Sequence, residues 1–224
     1  MKEKVVVIAS GGIDSSTLLF KTVNENYKTY ALTFMYGQKH RREIDTAKWI
    51  CEQLKVSHKI LDLSVLKDVL SGSALTDSSI SIPEVPAEVL HYDTLKTTIV
   101  PNRNSIFLSI AIGYAVSIGA NQVFFGAHHS DRGVYPDCRI EFVEAFQSAE
   151  RLAVDNASLT IKAPFAHMEK SEIVRLGTEL GVPYQLTWSC YKGGDLHCGV
   201  CSSCRERKRA FTQSGVSDPT RYER

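Results

Sequence analysis

A glycine-rich turn near the start of the chain constrains the fold more than any other feature. The apolar, β-branched residues 5–8 predict a buried strand, the sequence SGGIDS follows at residues 10–15, and residues 16–27 have the pattern of a helix. Glycines let a backbone approach an anion closely, and the first N–H groups and the dipole of a helix point at that anion. Strand, turn and helix in this order predict a phosphate site, with Asp14 and the two serines after it available to cap the helix. An ordinary connecting turn, which also favours Gly, Ser and Asp, is the alternative.

Strand-like and helix-like stretches alternate along the chain, which predicts an α/β fold with a mostly parallel sheet and helices on both faces. Ligands of such folds bind at the carboxyl ends of the strands, where the SGGIDS turn lies. The apolar helix expected at 104–118 should be buried on most sides. The irregular segment 71–101 is too long for a connector and is expected to carry a functional loop or lid. The expected strands are 4–9, 29–36, 58–63, 122–126 and 159–163, and the expected helices are 15–27, 40–54, 104–118, 142–154 and 170–180.

Composition and charge exclude several classes of partner. The chain has 224 residues, of which 43% are hydrophobic and 23% charged, and its formal net charge is +1. This charge creates no field toward nucleic acid or an anionic membrane, so neither partner is expected. No apolar run approaches the length of a membrane span. The first residues do not have the pattern of a signal peptide, so a cytoplasmic location is expected.

Four of the six cysteines fall within one short window, at Cys190, Cys198, Cys201 and Cys204. In a cytosolic chain, such a cluster favours a metal site over disulfides. Four thiolates suit a tetrahedral structural zinc ion, which is our prediction. The spacing is also compatible with an iron–sulfur cluster, and a reactive Cys201–Cys204 pair is a third interpretation. The neighbouring His197 is a poor ligand because it is adjacent to Cys198.

The composition changes after residue 186. The remaining residues are Cys-rich and basic and show no periodic strand–helix unit, so we predict a domain at 1–186 and a small metal-stapled lobe at 187–224. The basic run 205–209 is interpreted as a solvated helix face in preference to an RNA-binding patch.

Three cationic residues lie at positions where they could contact a bound anion. Arg103 begins the long apolar helix, and a cation at a helix start is unfavourable without a nearby anion, so we expect it to contact phosphate or carboxylate. Lys39 follows the second expected strand and could meet phosphate or simply be exposed. Lys170 begins another helix, where an anion contact and a surface position both remain open.

Further polar residues follow the strand expected at 122–126. The adjacent histidines His128 and His129 are assigned to substrate contact or structure, because neighbours cannot comfortably share one metal. Asp137 is expected to cap the helix that follows it. Cys138 is expected to be a small buried residue rather than a nucleophile.

The SGGIDS turn resembles the pyrophosphate loop (PP-loop) of the ATP pyrophosphatases, which cleave ATP between its α and β phosphates. Taken in order along the chain, several blocks resemble one family of these enzymes, the 7-cyano-7-deazaguanine synthases of queuosine biosynthesis. The blocks are the turn 10–15, YGQKH at 36–40, PNRN at 101–104 with 107–108, YPDCR at 135–139, the helix of Lys170 and the four cysteines.

This resemblance implies an adenine-nucleotide alpha-hydrolase-like fold, ATP with Mg²⁺, zinc on the four cysteines and a homodimer. It implies ATP-dependent conversion of a carboxylated deazapurine and ammonia to a nitrile through adenylated intermediates and an amide. Catalytic roles are expected for Asp14, Arg103 and Lys39. ATP is expected to bind along Ala9, Ser10, Gly11, Gly12, Ile13, Asp14, Ser15, Ser16, Thr17, Leu18 and Leu19.

Two departures from the family pattern leave the acceptor open. The family often has Gly at the position of Asn102, and residues 127–134 differ from the usual sequence of the family. A tRNA-thiolating enzyme and a different amidating ligase are therefore the enzymatic alternatives. A zinc-ribbon interaction protein without activity is the third, and the intact SGGIDS turn disfavours it.

Overall fold

A parallel five-stranded sheet forms the centre of the computed structural model, which describes residues 2–39, 41–85 and 95–224. The strand order is β3-β2-β1-β4-β5, and every pairing is parallel. The strands are β1 (Lys4–Ile8), β2 (Lys28–Met35), β3 (Ser57–Asp62), β4 (Gln122–Phe124) and β5 (Thr160–Lys162). The helices are α1 (Ile13–Asn24), α2 (Arg42–Gln53), α3 (Arg103–Ser117), α4 (Ile140–Ala153), α5 (Lys170–Glu179) and α6 (Ser202–Ser214). The predicted α/β fold is confirmed.

The central strand β1 is covered on both sides, as its apolar run predicts. Val6 lies beside Tyr30 of β2 and Val123 of β4, and Val5, Val6 and Val7 have no exposed surface. The chain order of the strands reverses between β1 and β4. A crevice at the carboxyl ends of the strands is expected at such a point, and the SGGIDS turn lies there.

Helices pack on both faces of the sheet. One core is formed around Leu18 of α1 and Ile173 of α5, and the other around Leu108 of α3 and Val143 of α4. The long apolar helix α3 buries Leu108 and Ile112 and packs Ile110 and Tyr114 partly against the same core. One face, which includes the 44% exposed Val116, remains open to solvent, as expected for an outer helix of a layered fold.

The basic run 205–209, interpreted from the sequence as a helix face, belongs to the longer helix α6. Helix α6 packs through Ala210 and Phe211 into the same core as α1 and α5. Its Arg207 is fully buried, so the expected solvated face for the basic run 205–209 is wrong at this residue. The boundary between residues 186 and 187 stays a prediction.

Segment 71–101 is irregular where it is described, with a short 3₁₀ turn at Lys96–Thr98. Glu84 forms a β-bridge with Cys201, so this segment packs against the cysteine cluster. Residues 86–94, which are part of the expected lid, lie outside the described residues. Residue 40, the last of the turn 36–40, lies outside them as well. Within the described ranges, each helix is too short or too polar to cross a membrane.

Candidate active site

The turn between β1 and α1 is organised by one hydroxyl group. The Ser15 Oγ accepts the backbone N–H groups of Ser10 and Gly11 at 3.0 and 3.1 Å. No side chain caps the start of α1, whose N-cap is Gly12. The expected capping by Asp14 and the serines is therefore wrong. The first N–H groups of the helix remain without a capping side chain, as a phosphate site requires.

Gly11 is required by packing as well as by backbone conformation. It has a φ of +84°, and a Cβ built on it would lie 2.0 Å from the carbonyl oxygen of Glu43 in α2. The absence of a side chain thus lets α2 pack against the turn. The Trp188 N–H donates to the Gly11 carbonyl at 3.1 Å, so the C-terminal segment also holds the turn. From the sequence alone, close approach of an anion is the expected reason for this glycine, and the packing of α2 is a second one.

Two polar atoms at the turn are buried without a hydrogen-bond partner among the described residues. They are the Asp14 Oδ1 and the Ser16 Oγ. Buried polar atoms are normally paired, so an unpaired carboxylate oxygen and hydroxyl at a helix start fit an absent ligand. Carboxylate oxygens are ligands that Mg²⁺ prefers, and the helix start suits phosphate. The donor set of the turn therefore fits ATP with Mg²⁺.

Lys170 is the cation beside this turn. Its Nζ lies 3.1 Å from the Asp14 Oδ2, 2.7 Å from the Glu206 Oε2 and 3.3 Å from the His128 Nε2. Burial opposes its charge, but the carboxylates of Asp14, Glu206 and Asp131 outweigh burial and raise the pKa of Lys170. Lys170 is therefore a buried cation and not a surface lysine.

Glu206 is a site residue that the sequence analysis missed. Burial alone would raise the pKa of Glu206, but Lys170 and His128 outweigh it and lower the pKa to about 2. Glu206 therefore remains ionised and balances Lys170. The only sequence signal is its place on α6, since Cys204, Arg207 and Phe211 are buried at helical spacing on the same helix.

The lining of the site also contains Arg103 and three tyrosines. The Arg103 guanidinium lies 5.8 Å from the centre of the Tyr36 ring. Tyr135 hydrogen-bonds to Tyr191, and burial raises the pKa of Tyr36, Tyr135 and Tyr191. These phenols consequently stay protonated at neutral pH and can donate hydrogen bonds to a ligand.

Asp137 places a carboxylate at the start of α3, the helix that begins with Arg103. The N–H of Asn104 donates to the Asp137 Oδ2 at 3.0 Å, so this carboxylate caps α3. The expectation that Asp137 caps the following helix is wrong, because Arg139 is the N-cap of α4 and makes no side-chain capping bond. Asn102, just before α3, has a φ of +56°. Asn and Gly both tolerate this left-handed conformation, which accounts for the exchange of these residues at this position.

The remaining sequence candidates lie in different surroundings. Lys39 is exposed, and its Nζ donates to the Ile80 carbonyl at 2.8 Å. His128 is buried beside Lys170, whereas His129 is exposed and lies near Glu169, so the two histidines do not share one ligand. Cys138 is 5% exposed, in agreement with its predicted buried position.

One cavity of about 620 Å³ joins these groups. It lies beyond the carboxyl ends of the strands and is lined by the SGGIDS turn, Lys39, Arg103 and Lys170. The C-terminal segment closes another side of the cavity with Trp188, Tyr191, Glu206 and Arg209. The structure thus brings together all three predicted cations and the turn. The volume of the cavity is typical of small-molecule sites.

The four clustered cysteines form a compact donor set. Cys190, Cys198, Cys201 and Cys204 are buried, and their sulfur atoms lie within 4.8 Å of one another. The Sγ atoms of Cys198 and Cys204 are 3.9 Å apart. A tetrahedral zinc with bonds of about 2.3 Å places its sulfurs about 3.8 Å apart, so the donors fit zinc. His197 is outside the set and accepts the Ser189 N–H at 3.1 Å.

Known proteins resemble this chain over nearly its whole length. The family described as queuosine biosynthesis protein QueC matches residues 4–215. A 7-cyano-7-deazaguanine synthase of Caldicellulosiruptor saccharolyticus is 49% identical over 98% of this chain and 96% of that relative. One of Archaeoglobus fulgidus is 50% identical over 96% of this chain and 89% of the relative. NMN synthetase of Francisella tularensis has the same fold, with a TM-score of 0.54 at 16% identity over 96% of this chain and 79% of that one.

Proposed function

This chain belongs to the QueC family of queuosine biosynthesis proteins, and on that premise we propose that it makes 7-cyano-7-deazaguanine from 7-carboxy-7-deazaguanine, ammonia and ATP. The observation that supports this chemistry is the cavity that joins the unpaired Asp14 oxygen of the SGGIDS turn to Lys170 and to Arg103. Phosphate and carboxylate groups complement the positive charges of Lys170 and Arg103.

The reaction requires two adenylations because a carboxylate is a poor electrophile. The substrate carboxylate attacks the α-phosphorus of ATP, and pyrophosphate leaves. Ammonia then displaces AMP, which yields an amide and releases a proton. The amide oxygen then attacks the α-phosphorus of a second ATP, and pyrophosphate leaves again. Loss of this oxygen with AMP, together with both protons of the amide nitrogen, leaves the nitrile. The protein acts through positioning and stabilisation of charge on two departing pyrophosphates.

We assign the phosphates to the N–H groups of the turn and to Lys170, with Asp14 holding Mg²⁺ through its unpaired oxygen. When bound, Mg²⁺ neutralises charge on the departing pyrophosphate. Arg103 and Lys39 contact anionic groups at the opposite side of the cavity, and Lys39 must first leave the Ile80 carbonyl. ATP extends along residues 9–19. The nucleotide binds within the predicted domain 1–186, while zinc orders the lobe at 187–224. We further propose a cytoplasmic homodimer.

The decisive experiment supplies the purified protein with 7-carboxy-7-deazaguanine, ATP, Mg²⁺ and ammonium. Mass spectrometry should detect first the amide and then the nitrile, and the nucleotide product should be AMP with pyrophosphate. The isolated amide should enter at the second step. Asp14→Ala should abolish turnover, and Arg103→Ala should lower kcat/KM at least about tenfold, equivalent to about 1.4 kcal/mol.

Two results would contradict the proposal at different levels. ADP and phosphate as products would exclude cleavage between the α and β phosphates. An enzyme that leaves the carboxylate and the amide unchanged but thiolates tRNA or amidates another acid would retain adenylation chemistry with a different acceptor. The divergent stretch 127–134 would then be the first place to seek the cause.

A further inference from the structure

Glu43 occupies a position in the cavity that the proposed reaction does not yet use. It lies in the first turn of α2 and lines the cavity. Its backbone is held against the SGGIDS turn, since the Glu43 carbonyl occupies the space that a Cβ on Gly11 would need. The close packing of α2 on the turn therefore places this carboxylate in the site.

The Glu43 side chain differs from the other carboxylates of the cavity. Asp14 and Glu206 pair with Lys170. The Asp131 Oδ2 accepts the backbone N–H of His128 at 3.0 Å. Within the described part of the chain, the Glu43 carboxylate has neither a hydrogen bond nor an ion pair. Among the described residues, it is the carboxylate of the cavity with both oxygens unpaired, whereas Asp14 pairs its Oδ2 with Lys170 and has only its Oδ1 without a partner.

The surroundings of Glu43 make an unpaired charge costly. Burial raises the pKa of Glu43 to about 7, which the nearby Arg103 opposes and Cys190 reinforces. The Glu43 side chain is only partly exposed, and a carboxylate in such a place is normally compensated by donors. A ligand that offers two N–H donors side by side would supply that compensation.

We propose that Glu43 binds the deazaguanine ring by accepting hydrogen bonds from its N1–H and its 2-amino group. These donors are adjacent on one edge of the ring, and the two oxygens of a carboxylate match them. Adenine offers only its amino group on the corresponding edge, so a carboxylate discriminates between the two rings. The inference rests on the proposed function, and it makes Glu43 a specificity-determining residue for the acceptor.

The test compares two ligands and three proteins by calorimetry. The ligands are the 7-carboxylates of 7-deazaguanine and of 7-deazahypoxanthine, which lacks the 2-amino group. The proteins are the wild type, Glu43→Gln and, as a matched control on the same helix, Glu52→Gln at an exposed position. Affinity for ATP with Mg²⁺ is measured for each, and thermal unfolding verifies that each protein is folded.

The wild type should bind the deazaguanine ligand at least about tenfold more tightly than the deazahypoxanthine ligand. Glu43→Gln should weaken the first ligand at least about tenfold and the second much less, because a carboxamide presents one acceptor and one opposing donor. Glu52→Gln should match the wild type. Affinity for ATP should stay within about twofold in all three proteins.

The proposal is overturned if Glu43→Gln weakens both ring ligands equally or neither of them. Weakened ATP binding with unchanged ring binding would assign Glu43 to the nucleotide instead. Nitrile formation is assayed separately. A wild type that shows the Glu43-dependent preference but forms no nitrile would leave this inference standing and contradict the proposed reaction.

Discussion

At the residue scale, Gly11 and Gly12 provide a matched pair of adjacent positions. A Cβ on Gly11 would lie 2.0 Å from the Glu43 carbonyl oxygen, whereas a Cβ on Gly12 would find its nearest neighbours at 3.6 Å. Gly11→Ala should lower the free energy of unfolding by about 2 kcal/mol or more, because it adds strain at positive φ to a backbone clash. Gly12→Ala should change it by less than about 1 kcal/mol. Urea unfolding measures both, and equal effects would contradict the packing role of Gly11.

Because Glu43 carries a charge that the fold disfavours, we expect Glu43→Gln to stabilise the protein in a pH-dependent way. The pKa of Glu43 is about 7 in the fold against an ordinary value of 4.5, with Arg103, Tyr36 and Cys190 facing it. A carboxyl group with a raised pKa favours folding below its ordinary pKa, and this contribution is lost as the pH rises through the folded pKa. Glu43→Gln should therefore stabilise the ligand-free protein by about 1 to 3 kcal/mol at about pH 8 and by little at about pH 5.

Denaturant unfolding at these two pH values, without ATP, checks this expectation. Glu52→Gln again serves as the control, because its side chain is exposed. A stabilisation of the same size at both pH values would show that the effect does not arise from the Glu43 charge. A cost in the free protein that ligand binding relieves is common at functional sites.

At the scale of elements, α6 connects the metal site, the cavity and the core. It carries the metal-site residue Cys204, the cavity residue Glu206 and the core residue Phe211 on one stretch of 13 residues. The fully buried Arg207 holds this helix to the preceding segment. Its guanidinium donates to the Tyr184 carbonyl and the Thr187 hydroxyl at 2.8 Å each.

Arg207→Met should lower the free energy of unfolding by about 3 kcal/mol or more. The substitution removes the cation that lies 3.3 Å from Asp218, which then keeps only its hydrogen bonds from the Thr220 N–H and the Tyr222 hydroxyl. It also removes the guanidinium hydrogen bonds to Tyr184 and Thr187. Arg175→Met on α5 is the matched control, since Arg175 is exposed, and it should cost less than about 0.5 kcal/mol. Denaturant unfolding measures the free energy of unfolding of both variants. Losses of similar size would mean that Arg207 does not hold α6 in place.

At the scale of the whole molecule, a metal on the four cysteines should stabilise the cavity as well as the lobe. Cys201 is the N-cap of α6, and Glu206 of this helix pairs with Lys170. We expect about one zinc ion per chain in the purified protein. Cys201→Ala should lose the metal, lower Tm and weaken ATP binding, because α6 would no longer hold Lys170 in place.

Cys51→Ala controls for the loss of a buried thiol, because Cys51 is 1% exposed and lies in α2 outside the cluster. It should retain the metal and the ATP affinity of the wild type. Elemental analysis, thermal unfolding and calorimetry give the three readouts. Iron in place of zinc, or a Cys201 variant that keeps zinc and Tm but loses activity, would contradict a structural zinc site.

Local patterns sufficed to predict the alternating elements, the parallel sheet, the glycine-rich turn between β1 and α1 and the cysteine cluster. These features depend on residues close in sequence, such as the β-branched run before the SGGIDS turn and the CxxC spacings. Periodicity and turn chemistry report such short-range structure directly.

Only the tertiary structure decided how separate segments meet. It produced the pairing of Lys170 with Asp14 and Glu206, the capping of α3 by Asp137 and the contact of the buried Arg207 with Asp218. The residues in these contacts are 11 to 156 positions apart in the sequence. A charged residue has the same local pattern whether it faces solvent or a partner, so its burial depends on which elements pack over it. For the same reason, the unpaired Glu43 could be recognised only after α2 was seen to lie against Gly11.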